Sequence, residues 1–176
     1  VMMKAMTGTQ YAWLIVLGLF MAVSWLAQKW AVTGASKGMQ YAGLGLYVLA
    51  QAVIFIPILS IAVNYSSLEV IPMAAITTLG LFLGLTGVVV LTRVDFSFLR
   101  SVLVIGGFVA LGVIVASILF GFQLGILFSG IMVVFASVAI LYNTSAVMRD
   151  YRSDQYVAAS LSLFASVALL FWYILQ

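Results

Sequence analysis

Residues 101–144, "SVLVIGGFVALGVIVASILFGFQLGILFSGIMVVFASVAILYNT", run for 44 positions without a single charge. One membrane span needs roughly 20 apolar residues at a rise of 1.5 Å each. The stretch is therefore twice as long as one crossing and must fold back on itself. "FGFQLG" (120–125) supplies the glycines and the glutamine for a tight hairpin. This predicts two antiparallel spans, Ser101–Phe120 and Gln123–Asn143.

The rest of the chain divides in the same way. Further apolar segments cover Tyr11–Gln28, closed by Lys29 and Trp30, then Gln40–Val63, Val70–Thr92 and Tyr156–Leu175. The six together read as one transmembrane domain over residues 1–176, with short connections and no internal repeat. Composition agrees. The chain is 66% hydrophobic and 6% charged, whereas a soluble domain carries about 25% charged residues. Mean hydropathy is +1.30. Only lipid can serve as solvent for so much apolar surface, and only helices or closed barrels satisfy the backbone there. Continuous apolar runs exclude the short alternating strands of a barrel. The expected fold is an all-α integral membrane helix bundle.

Cysteine and histidine are absent. Disulfides, thiol catalysis, zinc sites and histidine proton shuttles are thereby excluded. The four acids, Glu69, Asp95, Asp150 and Asp154, sit in loops or at span edges. A charge inside a span is costly and marks ion or proton pathways, so their peripheral placement disfavours a proton-coupled transporter. No nucleophile elbow, zinc-protease signature, phosphate loop or dinucleotide fingerprint occurs. The sequence predicts no enzyme activity, no cofactor and no metal site.

Six of the seven basic residues fall in three alternate loops: Lys29 and Lys37, Arg93 and Arg100, Arg149 and Arg152. The positive-inside rule assigns loops 29–39, 93–100 and 144–155 to the cytoplasm, with the C-terminus outside. Both ends of the chain would then lie outside. "VMMKAMTGTQ" is not a signal peptide, and an outside N-terminus without one suggests a further helix upstream of Val1.

Several polar features carry competing readings. Gln51, Thr77, Thr78, Thr86, Ser117, Ser129, Ser137, Ser162 and Ser166 fall within spans. They are expected to bond between helices, with a polar path through the bundle as the sharper alternative. Gly80, Gly84 and Gly87 form a small-residue face expected to pack inside the bundle. Pro57 predicts a kink. Trp13, Trp25, Trp30, Tyr41, Tyr65, Tyr142, Tyr156, Trp172 and Tyr173 lie near span ends and read as an interfacial belt. "RDYRSD" interleaves Arg149 and Arg152 with Asp150 and Asp154. It reads as solvated loop pairs, or as a cytoplasmic docking surface.

Three stretches resemble the Bax inhibitor-1 / YccA family of membrane proteins: "VVVLTRVDFSFLR" (88–100), "AILYNTSAVM" (139–148) and "YVAASLSLFASVALLFWYIL" (156–175). "KGMQYAGLGLYVLAQAVIFIPIL" (37–59) adds a weaker match. The resemblance covers nearly all of 11–176, and the order and spacing of the stretches carry it. It implies a seven-helix fold whose last helix is surrounded by the others. The six spans would then be the second to the seventh, which agrees with the charge argument for an upstream helix.

The resemblance also implies two functions. Some members are pH-sensitive calcium leak channels gated by an acid pair, at the places of Asn143 and Ser166 here. Asn and Ser neither titrate nor neutralise calcium. Members of the bacterial YccA type, similar in having Ser at the second place, act on the membrane protease FtsH and associate with its HflK and HflC partners. The leading expectation is therefore an inner-membrane partner or modulator of an FtsH-type protease. The alternatives are a calcium or cation leak channel and an accessory structural subunit of a larger membrane complex. Asn143 and Ser166 are expected to approach each other in the bundle.

Overall fold

The computed structural model describes residues 12–33, 36–67 and 69–176. Lys4 and Tyr11 fall outside them, and the side chains of Trp13 and Tyr65 are likewise not described. Six helices follow in order: α1 (Ala12–Thr33), α2 (Lys37–Tyr65), α3 (Val70–Thr92), α4 (Leu99–Phe120), α5 (Ile126–Arg149) and α6 (Tyr156–Leu175). All six are long and apolar enough to cross a membrane, and no strand occurs among the described residues. The fold is a membrane helix bundle.

Helix ends follow local chemistry. Ser36 caps α2, its hydroxyl accepting from the Met39 amide at 3.3 Å, which satisfies one orphan donor of the first turn. Gly121 ends α4 in the left-handed region (φ 71), its amide donating to Ser117 O at 2.9 Å. Glycine adopts that conformation without steric cost, so the chain reverses there and α5 starts at Ile126. The hairpin is thus residues 121–125, and the fifth span begins three positions later than position 123.

Two other boundaries move. α1 continues through Lys29 and Trp30 to Thr33. Lys29 tolerates the helix because its ammonium lies 5.2 Å from the centroid of the Trp25 ring, one turn back. α5 continues beyond Asn143 to Arg149, so Asn143 is an interior residue of a helix rather than its last.

The core converges on α6. Each of the four buried clusters contains an α6 residue: Leu161 beside Ala27, Leu175 beside Ala62, Tyr173 beside Met132, and Leu170 beside Ile140. Helix α6 packs against α1, α2, α3 and α5. Within its spanning window 44% of residues are buried, against 11–22% in the other helices. α4 is peripheral, with Ala110 its one buried residue. It leans on α5 and barely reaches α1.

Close approach depends on glycines other than those expected. A Cβ on Gly43 would lie 2.7 Å from Ala27 O and 3.0 Å from Ala31 N, so α1 and α2 touch backbone to backbone there. At Gly80, Gly84 and Gly87 a Cβ would meet nothing within 4 Å. Their expected internal packing is therefore corrected: Gly80 and Gly84 face outward. In lipid the outward face of a helix is as apolar as the inward one, so spacing alone does not identify the packed side.

Candidate functional site

Asn143 and Ser166 meet. Asn143 Nδ2 donates to Ser166 Oγ at 2.7 Å and lies 3.5 Å from Ser162 O. Ser166 Oγ in turn donates to Ser162 O at 3.1 Å. The hydroxyl thus gives its one proton to its own helix and accepts the amide across the interface, which uses its donor and one lone pair. Ser166 is buried. The result is a neutral, fully directed bond from α5 to α6.

Beside it lies a cavity of about 220 Å³ whose polar walls are Gln28, Asn143, Tyr151 and Ser162. A second cavity of about 350 Å³ occupies the other half of the bundle, lined by Gln51, Tyr47, Trp172, Tyr173 and Gln176 among apolar side chains. Both run along α6 beside α1, and Ala165 is a wall of each. The aromatic side chains of this second cavity are partly core. Tyr173 is buried edge-on to Phe128, and Trp172 meets Phe55 at 5.4 Å. Both stand in the last turn of α6, at its end as expected, but packed against neighbouring helices. Tyr41 and Tyr156 do sit at helix starts, hydroxyl to hydroxyl at 2.9 Å, with Lys37 over the Tyr156 ring at 4.2 Å.

Most intraspan hydroxyls do not bridge helices. Thr78, Ser117, Ser137 and Ser162 donate to carbonyls of their own helix, three or four residues back. Such a carbonyl is always within reach and needs no partner helix. Among the described residues, Ser129 of this group also crosses between helices, to Gln176 Oε1 at 3.2 Å.

The charged segment also rearranges. Arg149 turns away from Asp150 and pairs with Asp95 of the α3–α4 loop at 2.6 Å. It donates as well to Val94 O at 2.9 Å and to Ser145 Oγ at 2.5 Å. The Phe96 amide donates to the same Ser145 hydroxyl at 3.2 Å. Asp95 accepts from the Ser97 amide at 2.8 Å and from the Ser97 hydroxyl. The Ser97 bonds hold its carboxyl below the ordinary value; burial opposes them, and the Arg149 charge and hydrogen bond add smaller lowering effects. Arg152 pairs with Asp154 at 3.4 Å, both exposed. Arg149, Asp150, Arg152 and Asp154 are all exposed, and Arg149 in addition clamps the α3–α4 loop. The Asp-x-Ser spacing was the sequence signal for this clamp, because an Asp commonly accepts the amide two residues on.

Six lipid-facing helices around a neutral polar contact define a multi-pass membrane protein with no converging acids among its described residues. Across residues 1–176 the chain matches the family described as inhibitor of apoptosis-promoting Bax1, and it belongs to that Bax inhibitor-1 family. It is 40% identical over 111 residues to the uncharacterized protein PA2604 of Pseudomonas aeruginosa, covering 61% of this chain and 49% of that protein. It is 32% identical over 112 residues to the uncharacterized protein PM0402 of Pasteurella multocida, covering 63% and 50%. The chain thus spans about half the length of the curated relatives it matches. No solved structure matches it.

Proposed function

We propose that this chain is a non-catalytic protein of a bacterial inner membrane that acts as partner or modulator of an FtsH-type protease, in company with HflK- and HflC-like proteins. One observation carries the reading: an uncharged Asn143–Ser166 bond ties α5 to the central helix, at the two places that the resemblance matches to the acid pair of channel-type members. A neutral latch does not respond to pH as paired carboxylates do. It suits a bundle that remains closed while a protease complex engages its termini or loops. Six basic residues at one end of the bundle support a cytoplasmic orientation for that end, and a reporter fused to the C-terminus should be active outside. Purification from native membranes in mild detergent tests the partnership. Co-purification of FtsH-, HflK- and HflC-like proteins is expected. Their absence overturns the reading, and a different, stoichiometric complex would point to an accessory subunit instead.

The second reading is a cation leak. It is favoured by two cavities that lie along α6 with Ala165 as a wall of each. Calcium flux into liposomes between pH 6 and 8 separates the two: flux equal to that of empty liposomes ends the leak reading.

A further inference from the structure

Helices α3 and α5 end side by side, and between their ends lies a cavity of about 460 Å³ lined by Val90, Arg93, Val94, Ser145, Met148 and Arg149. Its charged groups are both guanidiniums. The acids of this region, Asp95 and Asp150, line a smaller neighbouring cavity that shares Ser145 and Arg149 with it. The remaining walls are apolar apart from one hydroxyl, and Val90, Val94 and Met148 are exposed along the bundle's outer surface.

Arg93 has no ion pair or side-chain hydrogen bond among the described residues, and it is exposed. Its backbone caps α3 in the left-handed region (φ 52), the one positive φ at a non-glycine position among the described residues. Glycine is the usual occupant of that cap, and a residue with a Cβ is strained there. Arg149 is fixed in place by Asp95, Val94 O and Ser145, which use three of its five N–H donors. The carbonyl ends of α3 and α5 oppose an anion here. Several are already occupied, however: Val88 O by Thr92, Val89 O by the Arg93 amide and Ala146 O by Asp150.

We propose that this pocket binds the phosphate of an anionic phospholipid. Arg93 and the free donors of Arg149 hold the phosphate, and the upper acyl chains lie along Val90, Val94 and Met148. The chemistry is that of a phosphate diester at the edge of a bilayer: basic pockets between spanning helices bind such headgroups, and guanidiniums match phosphate oxygens in fork geometry. The apolar walls favour a lipid over a free phosphate.

The test uses the purified full-length protein in a neutral detergent, titrated with short-chain phosphatidylglycerol, short-chain phosphatidylcholine and inorganic phosphate, with bound lipid counted by native mass spectrometry. Phosphatidylglycerol is expected to bind at least about fivefold more tightly than phosphatidylcholine, the contribution of one basic residue near an anionic surface. Arg93→Gly should remove that preference while leaving the thermal midpoint unchanged or higher, because glycine relaxes the cap. Arg93→Gln should remove it as well, with the side-chain bulk kept. Equal binding of the two lipids overturns the proposal, and so does a preference that survives in both variants. Inorganic phosphate binding as tightly as phosphatidylglycerol would make this a soluble-phosphate site and overturn the lipid assignment.

Discussion

At the scale of single residues, the Asn143–Ser166 bond is an uncharged tie between α5 and the central helix α6. In a membrane such a bond contributes modestly, because the unfolded helices also find partners. Asn143→Ala and Ser166→Ala should each destabilise the bundle by about 1 kcal/mol, with a coupling in the double variant of about 0.6–1.7 kcal/mol. Unfolding by SDS in mixed micelles measures both. A coupling of zero would mean that the contact holds nothing. Asn143→Asp should lose more than Asn143→Ala at neutral pH, because a carboxylate cannot donate and faces the Ser162 carbonyl. Composition made Asn143 a border residue, and only the family resemblance paired it with Ser166. Neither could show Gln28 and Tyr151 on the same cavity, since that grouping depends on how α1 and the α5–α6 loop come together.

At the scale of elements, two contacts decide how helices are held. The α1–α2 seam closes on Gly43, where an added methyl would press on the Ala27 and Ala31 backbone. Gly43→Ala should therefore cost about 1–3 kcal/mol, as overpacking does, whereas Gly80→Ala should leave stability unchanged or slightly raised. The same SDS titration distinguishes them, and equal effects would contradict the seam. These helices are apolar all round, so the usual amphipathic period carries no signal about their inward face. That is why the glycine spacing in "GLFLG" misdirected the sequence reading. The second contact is the clamp of the α3–α4 loop onto α5. Asp95 is ionised more readily in the fold than in the unfolded chain. A depressed carboxyl stabilises fully above its ordinary value of 3.8 and loses that contribution as pH falls through the lower folded value. Wild-type protein should thus be more thermally stable than Asp95→Asn at pH 7. The two should converge as pH falls below about 4, near the ordinary aspartate pKa. A difference that persists or grows in acid would show that the carboxylate is not what holds the loop.

At the scale of the whole molecule, the six helices of the described residues and the hairpin at 121–125 were legible because both follow from length, charge and glycine. Which helix stands at the centre was not legible from hydropathy, since peripheral and central spans are equally apolar in lipid. The signal lay in size. Helix α6 buries Ala158, Ala159, Ser166 and Ala168, and small side chains let four neighbouring helices approach one axis. Such an arrangement concentrates the stability of the bundle in the few large side chains that remain on α6. Leu170 is fully buried against Ala136 and Ile140 of α5. Leu170→Ala should leave a cavity that no lipid can enter, at about 2–5 kcal/mol. Leu83 on α3 is largely exposed on the bundle's outer surface, where acyl chains fill whatever a truncation vacates. Leu83→Ala should therefore be nearly neutral although the same atoms are removed. Comparing the two variants in one lipid bicelle, by the SDS fraction at half-unfolding, isolates packing from hydrophobicity. A similar loss at both sites would mean that α6 is not the packed centre of the fold, and the neutral latch at Asn143 would then join two helices at its edge.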